Sequence, residues 1–490
     1  IINHAKQPNC DIDITLYDLK QCFDGLWLQE CLIDLYENGI TNDKLNMIHQ
    51  GNLNNNVSIN PPNGQSDRIS IKNIVTQGGP LGGALCSVTV DTIGKEALQP
   101  TEKSHGVPNP VDDEIDTNDE YTYNYHNVKI PPLSMVDDVL TITKCGSNSI
   151  MTNAYINAKF EQKRLELNKT KCHQIHIGKN EKRCPELKTH DDVMIKSKED
   201  KYIGDVLSAD GKINKTIKSR AMKGMGIISN IMNILKEVCL GNYYFEIAKI
   251  LREAVFHNSI LLNSETWVDM KKEDIEILES LDRILMRRIL ETPTSTPIPS
   301  LYLELGFTPI RYIIKAKRLL FLQYILKCKK DETIYKAFWA QKSNPVENDW
   351  CMQIEKDLSE FKLDHFTLDQ IGKMSKRLFK KFVKQSCKKK AFEDLMKEKE
   401  DLSKIKNNLY VSLEMQTYLT NKKMTLRQKK LFFKIKTRMT KVGFNFGRKV
   451  MCPLCQLHGD NQEGILDSII LKLKCKELYM TNEEKYSDVL

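Results

Sequence analysis

PPLSMVDDVLTIT, residues 131–143, decides how this chain is read. It is an apolar, strand-like run that carries two adjacent carboxylates, Asp137 and Asp138, between Met135 and Val136 on one side and Val139 and Leu140 on the other. Like charges set side by side among apolar neighbours repel each other and lose solvation. A divalent cation removes that cost. Standing alone, the pair fits an exposed turn better than a metal site, because Asp-Asp is common in turns.

A third carboxylate ends another such run upstream. In DIDITLYDLKQCFDGLW, residues 11–27, Ile12, Ile14 and Leu16 alternate with polar residues, which predicts a half-buried strand that delivers Asp18 at its end before a helix begins. Three carboxylates brought by two strands can hold two divalent cations. Magnesium (or manganese) suits them, since it is hard, takes oxygen ligands and keeps several waters. Two such ions stabilise both the attacking and the leaving oxygen of an in-line displacement at phosphorus. Residues 74–98, IVTQGGPLGGALCSVTVDTIGKEAL, place Gln77, Gly78, Gly79, Gly82 and Gly83 ahead of a helical run. Such a loop lets backbone approach a ligand closely, although it lacks the spacing and the lysine of a P-loop.

The order of these segments carries a resemblance. The strand ending at Asp18, then QGGPLGG (77–83), MVDD (135–138), LELNKTKCHQIHIGK (165–179) and KYIGDVLSADGK (201–212) resemble motifs A to E of a reverse transcriptase palm. Downstream, LLNSETW (261–267), LYLELGFTPIRYIIKAKRLLFLQYIL (301–326) and CPLC (452–455) resemble a non-LTR retrotransposon reverse transcriptase of the site-specific clade whose reading frame ends in a zinc knuckle and a restriction-like endonuclease. The resemblance covers nearly the whole chain. It implies that Asp18 and Asp137 are the principal metal ligands, with Asp138 beside them. Phe23 would close on the sugar of the incoming dNTP and leave no room for a 2′-hydroxyl, while Gln77 and Gly78 would contact the nucleotide and the template base pair. Lys171, or its neighbour Lys169, would protonate the leaving pyrophosphate. Tyr202, Ile203 and Gly204 would form the primer grip, and Asp24 is read as structural. Outside the motif, Phe23 reads equally well as a core phenylalanine.

The fold class expected is α+β: a reverse transcriptase palm, an antiparallel sheet with helices, followed by an α-helical thumb and a mostly helical basic C-terminal region. Palm and remaining finger elements are assigned to residues 1–211, with an exposed acidic insertion near 99–125 that contains VPNPVDDEIDTNDEY (107–121). Residues 212–343 are the thumb, where Ile275, Leu278, Leu281, Leu285 and Ile289 repeat at helical spacing and TPTSTPIPS (292–300) breaks the run. Residues 344–450 hold a linker, Asn344 to Leu368, and a basic region. GKMSKRLFKKFVKQSCKKK (372–390) and NKKMTLRQKKLFFKIKTRMTKVGFNFGRK (421–449) contain no acidic residue and mix lysines with Phe379, Phe382, Phe432 and Phe433. That composition suits a surface that tracks phosphates while its apolar face packs.

Composition agrees with these assignments. The 490 residues suffice for two or three domains, and the formal charge of +9 matters through its uneven distribution. The 14 cysteines have neither a secretory signal nor disulfide-like spacing, which predicts a reduced, intracellular protein, nuclear and cytoplasmic. No apolar run reaches the roughly 18 to 20 residues of a membrane span, so no membrane partner is expected.

Among the cysteines, Cys452 and Cys455 have metal spacing, and a structural zinc site needs four ligands. The resemblance places the family's other two ligands at Gly464 and Ser468, which bind no zinc. Residues 451–490 are therefore read as a degraded zinc-knuckle-like segment with two ordinary thiols. A Zn2+ site completed by His458 and Cys475 is the alternative.

The activity expected from the resemblance is RNA-directed DNA polymerisation by two-metal nucleotidyl transfer, in target-primed reverse transcription, with an RNA template, a DNA primer or target and dNTP as partners. Motif A begins a few residues after Ile1 and the sequence ends shortly after the knuckle, so a fragment without fingers or nuclease is expected, with weak polymerase activity or none and no endonuclease activity. A noncatalytic nucleic-acid-binding relic or domesticated remnant is the alternative. A nucleotide cyclase fits the motif order less well, and no sequence feature sets an oligomeric state.

Overall fold

The alternating IDITLYD segment forms β1 (Ile12–Asp18), the middle strand of a five-stranded sheet. The molecule is a computed structural model that describes residues 2–5, 10–52, 55–58, 62, 64–71, 75, 81–98, 121–178, 184–189, 192–238, 243–402, 405 and 408–439. Chain contacts divide it into one unit of Ile1–Lys212 with Cys328–Cys351 and a second of Ile213–Lys327 with Met352–Leu490. Helices and sheets are mixed, an α+β arrangement.

The first unit opens with α1 (Ile2–Ala5), β1, α2 (Cys22–Gly25), α3 (Leu28–Glu37) and α4 (Asn42–Asn52). A hairpin of β2 (Asn55–Val57) and β3 (Ile69–Ile71) precedes α5 (Gly82–Glu96), and a second of β4 (Tyr123–Tyr125) and β5 (Val128–Ile130) follows it. Next come β6 (Leu133–Met135), β7 (Asp138–Lys144), α6 (Ser147–Gln162) and β8 (His173–Ile177). Short strands β9 (Lys188–Thr189), β10 (Asp192–Val193) and β11 (Ile195–Lys196) lead to the hairpin of β12 (Glu199–Tyr202) and β13 (Asp205–Ser208).

The five-stranded sheet has the order β11-β8-β1-β7-β6. β1 is antiparallel to both neighbours, β7 and β8, and β11 alone runs parallel to its neighbour. Ile12, Ile14 and Leu16 pack with Tyr123, Tyr125, Ile130, Leu140, Ile175 and Ile177 on one face. The alternation predicted that the other face of β1 meets solvent, but Asp13, Thr15 and Tyr17 are buried as well. The cause is α6, which lies over that face: the Tyr17 hydroxyl donates to Asn153 Oδ1 at 3.1 Å and Ser149 Oγ donates to Asp13 Oδ2 at 2.6 Å. Helix α3 is tied to the residue after α6 by a buried ion pair, Lys163 Nζ to Asp34 Oδ1, at 2.8 Å.

The second unit is helical among its described residues. It contains α7 (Asn214–Val238), α8 (Tyr244–Leu251) continued by a π-helical turn at Arg252–His257 and by α9 (Asn258–Ile260), α10 (Lys272–Leu290), α11 (Ile298–Leu305) and α12 (Ile310–Lys327). α13 (Thr333–Ser343) belongs to the first unit. After α14 (Trp350–Glu360) come α15 (Leu368–Lys373), α16 (Lys376–Glu400), α17 (Thr417–Thr420) and α18 (Leu426–Lys436). The stretch expected as a linker, 344–368, thus carries α14, with Ile354, Leu358, Phe361 and Leu363 buried. Its apolar residues are few but fall at helical spacing, which is why the segment folds although its composition is weak.

Two buried ion pairs join the helices of this unit. Arg252 donates from Nε and Nη2 to the two oxygens of Asp282 at 2.7 and 2.6 Å, and from Nη2 to the Thr308 carbonyl at 2.9 Å. Arg318 Nε donates to Asp357 Oδ2 at 2.7 Å, and its Nη1 to the Trp267 carbonyl at 2.5 Å. The second interaction joins the LLNSETW segment to α12. Bidentate, fully hydrogen-bonded pairs of this kind are the ones that tolerate burial.

Candidate active site

The strand run that carries the two aspartates is broken by a turn. β6 and β7 form a hairpin in which Met135 pairs with Asp138, so Val136 and Asp137 are its two-residue loop. Val136 has φ of 61°, a value that a β-branched residue adopts at a cost of roughly 1–2 kcal/mol. The exposed-turn reading was therefore right about the turn at Asp137, while Asp138 is the first residue of β7; both are half-buried.

Register brings the third carboxylate in. Asp18, the last residue of β1, is the Cα partner of Asp138 on β7. Residues directly opposite on antiparallel strands hold their Cβ atoms about 5 Å apart, and like charges there destabilise the pair. Burial, then the charges of Asp137 and Asp18, raise the Asp138 carboxyl above the ordinary aspartate range, with Lys171 opposing and Asp200 adding to the rise.

The lysine is placed by the segment after α6. Leu19 bridges to Leu167, Asn168 N–H donates to the Asp18 carbonyl at 2.8 Å, and a turn then carries the chain past Lys171. Lys171 Nζ lies 3.3 Å from Asp18 Oδ2. Lys169 instead pairs with Asp192 at 2.8 Å. Of the two lysines that the sequence left open, Lys171 is the one beside Asp18.

The β12–β13 hairpin completes the neighbourhood. Its two-residue turn is Ile203–Gly204, with φ of 47° and 81°, the backbone of a tight hairpin whose two loop residues both have positive φ. Burial, then the charge of Asp138, push the Tyr202 phenol up to about 12. Asp200, on β12, also bonds His173 Nδ1 on β8. Sequence reading singled out neither Asp200 nor His173, since no local pattern marks a side-chain contact between two strands that do not pair.

The glycine-rich segment and its helix are described in part. Gln77 and Gly78 lie outside the described residues, as does the side chain of Phe23. The helices that flank them, α2 and α5, meet at Cys22 and Cys86, whose sulfurs are 2.9 Å apart. Hydrogen bonding to Cys86, then burial, raise the Cys22 thiol, and the charge of Asp137 contributes. The acidic residues 99–120 and the cysteine pair Cys452 and Cys455, with His458 and Cys475, lie outside the described residues.

No family model matches the chain, and no curated protein does. Parts of it are similar to solved telomerase chains. Telomerase from Candida albicans in complex with the TWJ fragment of telomeric RNA is 12% identical over 74% of this chain and 50% of its own, with a TM-score of 0.34. Apo telomerase from Candida tropicalis, truncated from its C-terminal domain, is 16% identical over 42% of this chain and 35% of its own, with a TM-score of 0.28. The chain spans about a third to a half of the length of those proteins.

The two basic runs separate in the second unit. On α16 the apolar residues Phe379, Val383, Cys387, Ala391 and Leu395 are buried at four-residue spacing, while Lys376, Arg377, Lys380, Lys381, Lys384 and Lys389 are exposed. α18 differs from expectation. Lys429 and Lys430 are buried, Lys430 pairs with Glu291 at 2.8 Å, and Lys436 pairs at 2.9 Å with Glu304, which is fully buried and also accepts from Tyr410 and Tyr418. Acid-free sequence hid these partners because the carboxylates come from α11 and the residue after α10. No helix among the described residues is long and apolar enough to cross a membrane.

Proposed function

We propose that this chain carries the metal-dependent nucleotidyl-transfer centre of a non-LTR retrotransposon reverse transcriptase, an RNA-directed DNA polymerase that extends a DNA 3′-end on an RNA template. The observation that supports it most is the register that sets Asp18 opposite Asp138, with Asp137 in the adjoining turn and Lys171 against Asp18. Three half-buried carboxylates with one neighbouring lysine make an electronegative site whose oxygens are the donor set for magnesium or manganese.

Asp18, Asp137 and Asp138 would hold the ions, which when bound supply the positive charge that activates the primer 3′-hydroxyl and offsets charge on the leaving pyrophosphate. The residues of the chain do the rest. Lys171 stands where it can leave Asp18 and give a proton to pyrophosphate. The Tyr202–Gly204 turn would hold the primer strand beside the carboxylates, and Phe23, Gln77 and Gly78 would shape the dNTP pocket. The exposed basic face of α16 would bind nucleic-acid phosphates. Residues 1–211 act in this reading as palm with remaining finger elements and residues 212–343 as thumb.

Extension of a labelled DNA primer annealed to RNA, with Mg2+ or Mn2+ and dNTP, tests the reading. Template-dependent products, weak but dependent on the divalent ion, are expected. Salt-sensitive RNA binding with no extension under either ion would instead support a noncatalytic nucleic-acid-binding relic.

A further inference from the structure

The far end of β1 holds a second cluster of metal-ligating side chains. Asp13 lies five residues before Asp18, about 17 Å along the strand, and on the opposite face of the sheet. It is fully buried, and register places it between Thr143 on β7 and His176 on β8. His176 Nδ1 is 2.9 Å from Asp13 Oδ1, and Ser149 donates to the other carboxylate oxygen at 2.6 Å. The imidazole side chain is only 8% exposed, and its second nitrogen, Nε2, is buried with no hydrogen-bond partner.

Two thiols lie within reach of the charge on the same carboxylate: Cys184 and Cys145, the latter immediately after β7, are both raised by burial and then by Asp13. One donor atom from each of Asp13, His176 and Cys184 falls within 4.8 Å of the others. In a tetrahedral zinc site with metal–ligand lengths near 2.0–2.3 Å, neighbouring donors are about 3.5 Å apart, so a small closure suffices. Burial and the Asp13 charge hold both thiols in the protonated state, Cys184 being pushed up to about 11. A fully buried carboxylate, two thiols and an imidazole with an orphaned nitrogen lack one thing, a positive charge at their centre.

We propose that Asp13, His176 and Cys184 form a structural site for a zinc-class cation that clamps β1 to β8, and that Cys145, outside that three-donor grouping but at the end of β7, moves in as the fourth donor. Binding displaces the two thiol protons to solvent and leaves the imidazole neutral. The set differs from Cys452 and Cys455 and does not depend on the polymerase reading.

The test uses the full 490-residue chain carrying Cys452→Ser and Cys455→Ser, which removes the C-x-x-C pair of the sequence. It should bind about one equivalent of Zn2+ by elemental analysis, and Co2+ should give thiolate charge-transfer and tetrahedral d–d bands. Adding Cys184→Ser or His176→Gln should weaken Co2+ binding tenfold or more. Should Cys184→Ser fail to fold, alkylation of the background protein is read by mass spectrometry, and Zn2+ should protect Cys145 and Cys184 at least tenfold. Absence of stoichiometric metal in the background, unchanged Co2+ spectra in both added variants, or equal alkylation with and without Zn2+ would overturn the site.

Discussion

Asp18 and Asp138 face each other across β1 and β7, and Asp137 adds a third charge at the turn. A protein without a cation at that point carries the repulsion as a stability cost. Because the folded-state Asp138 carboxyl titrates above its unfolded value, its stabilising contribution is full at low pH and is lost as pH rises through the raised value. Asp138→Asn should therefore stabilise the metal-free protein at neutral pH by about 0.5 kcal/mol, the site being half-exposed and screened. Thermal melts read the sign, and a destabilised variant would contradict the account. Proton competition also sets the metal response: Mg2+ stabilisation should fade on acidification at a higher pH than for an ordinary aspartate. The two lysines make a sharper comparison. Lys171→Ala should lower the rate of single-nucleotide addition by about 100-fold, within the range of general acid catalysis, while Lys169→Ala, paired with Asp192, should leave it within a few-fold.

Elements were legible where one local pattern decided them. The alternating run ending at Asp18 gave β1, and the glycine-rich loop was followed by a helix, α5, as read. The VDD turn was harder, because Val136 is a poor turn residue by type and its positive φ is imposed by the hairpin. The segment before α15 and the start of α18 carried signals that went unused: Thr367 with Gln370 and Thr425 with Gln428 are capping boxes visible in sequence. Partners that arrive from distant segments, such as Asp200 on His173 or Glu304 beneath Lys436, leave no local mark. In the LYLELGFTP segment, Gly306 ends α11 with φ of 64°, and a Cβ there would lie 2.1 Å from the Met415 nitrogen. Gly306→Ala should thus cost at least about 2 kcal/mol, from the backbone penalty plus displacement of the Leu305–Met415 bridge. Denaturant titration measures it, and a loss below about 0.5 kcal/mol would contradict the packing described.

At the scale of the whole molecule, each unit has a separate task in the account: the first holds the carboxylates, and the second exposes a basic helix. Composition pointed to both acid-free runs, yet two lysines of α18 are held in ion pairs, Lys430 with Glu291 and Lys436 with Glu304, which leaves the exposed lysines of α16 as the phosphate-facing candidates. Replacing Lys380, Lys381 and Lys384 by Gln should weaken binding of single-stranded RNA and reduce the slope of log affinity against log salt by about 2. An unchanged slope would move the nucleic-acid surface elsewhere. The central claim, that Asp18, Asp137 and Asp138 form a polymerase metal centre, is tested most directly by primer extension on an RNA template with Mn2+, comparing the native chain with Asp137→Ala. The account predicts template-dependent extension by the native chain and its loss, by 100-fold or more, in the variant, with RNA binding unchanged. Extension that survives Asp137→Ala, or no extension by the native chain under any divalent ion, would contradict it.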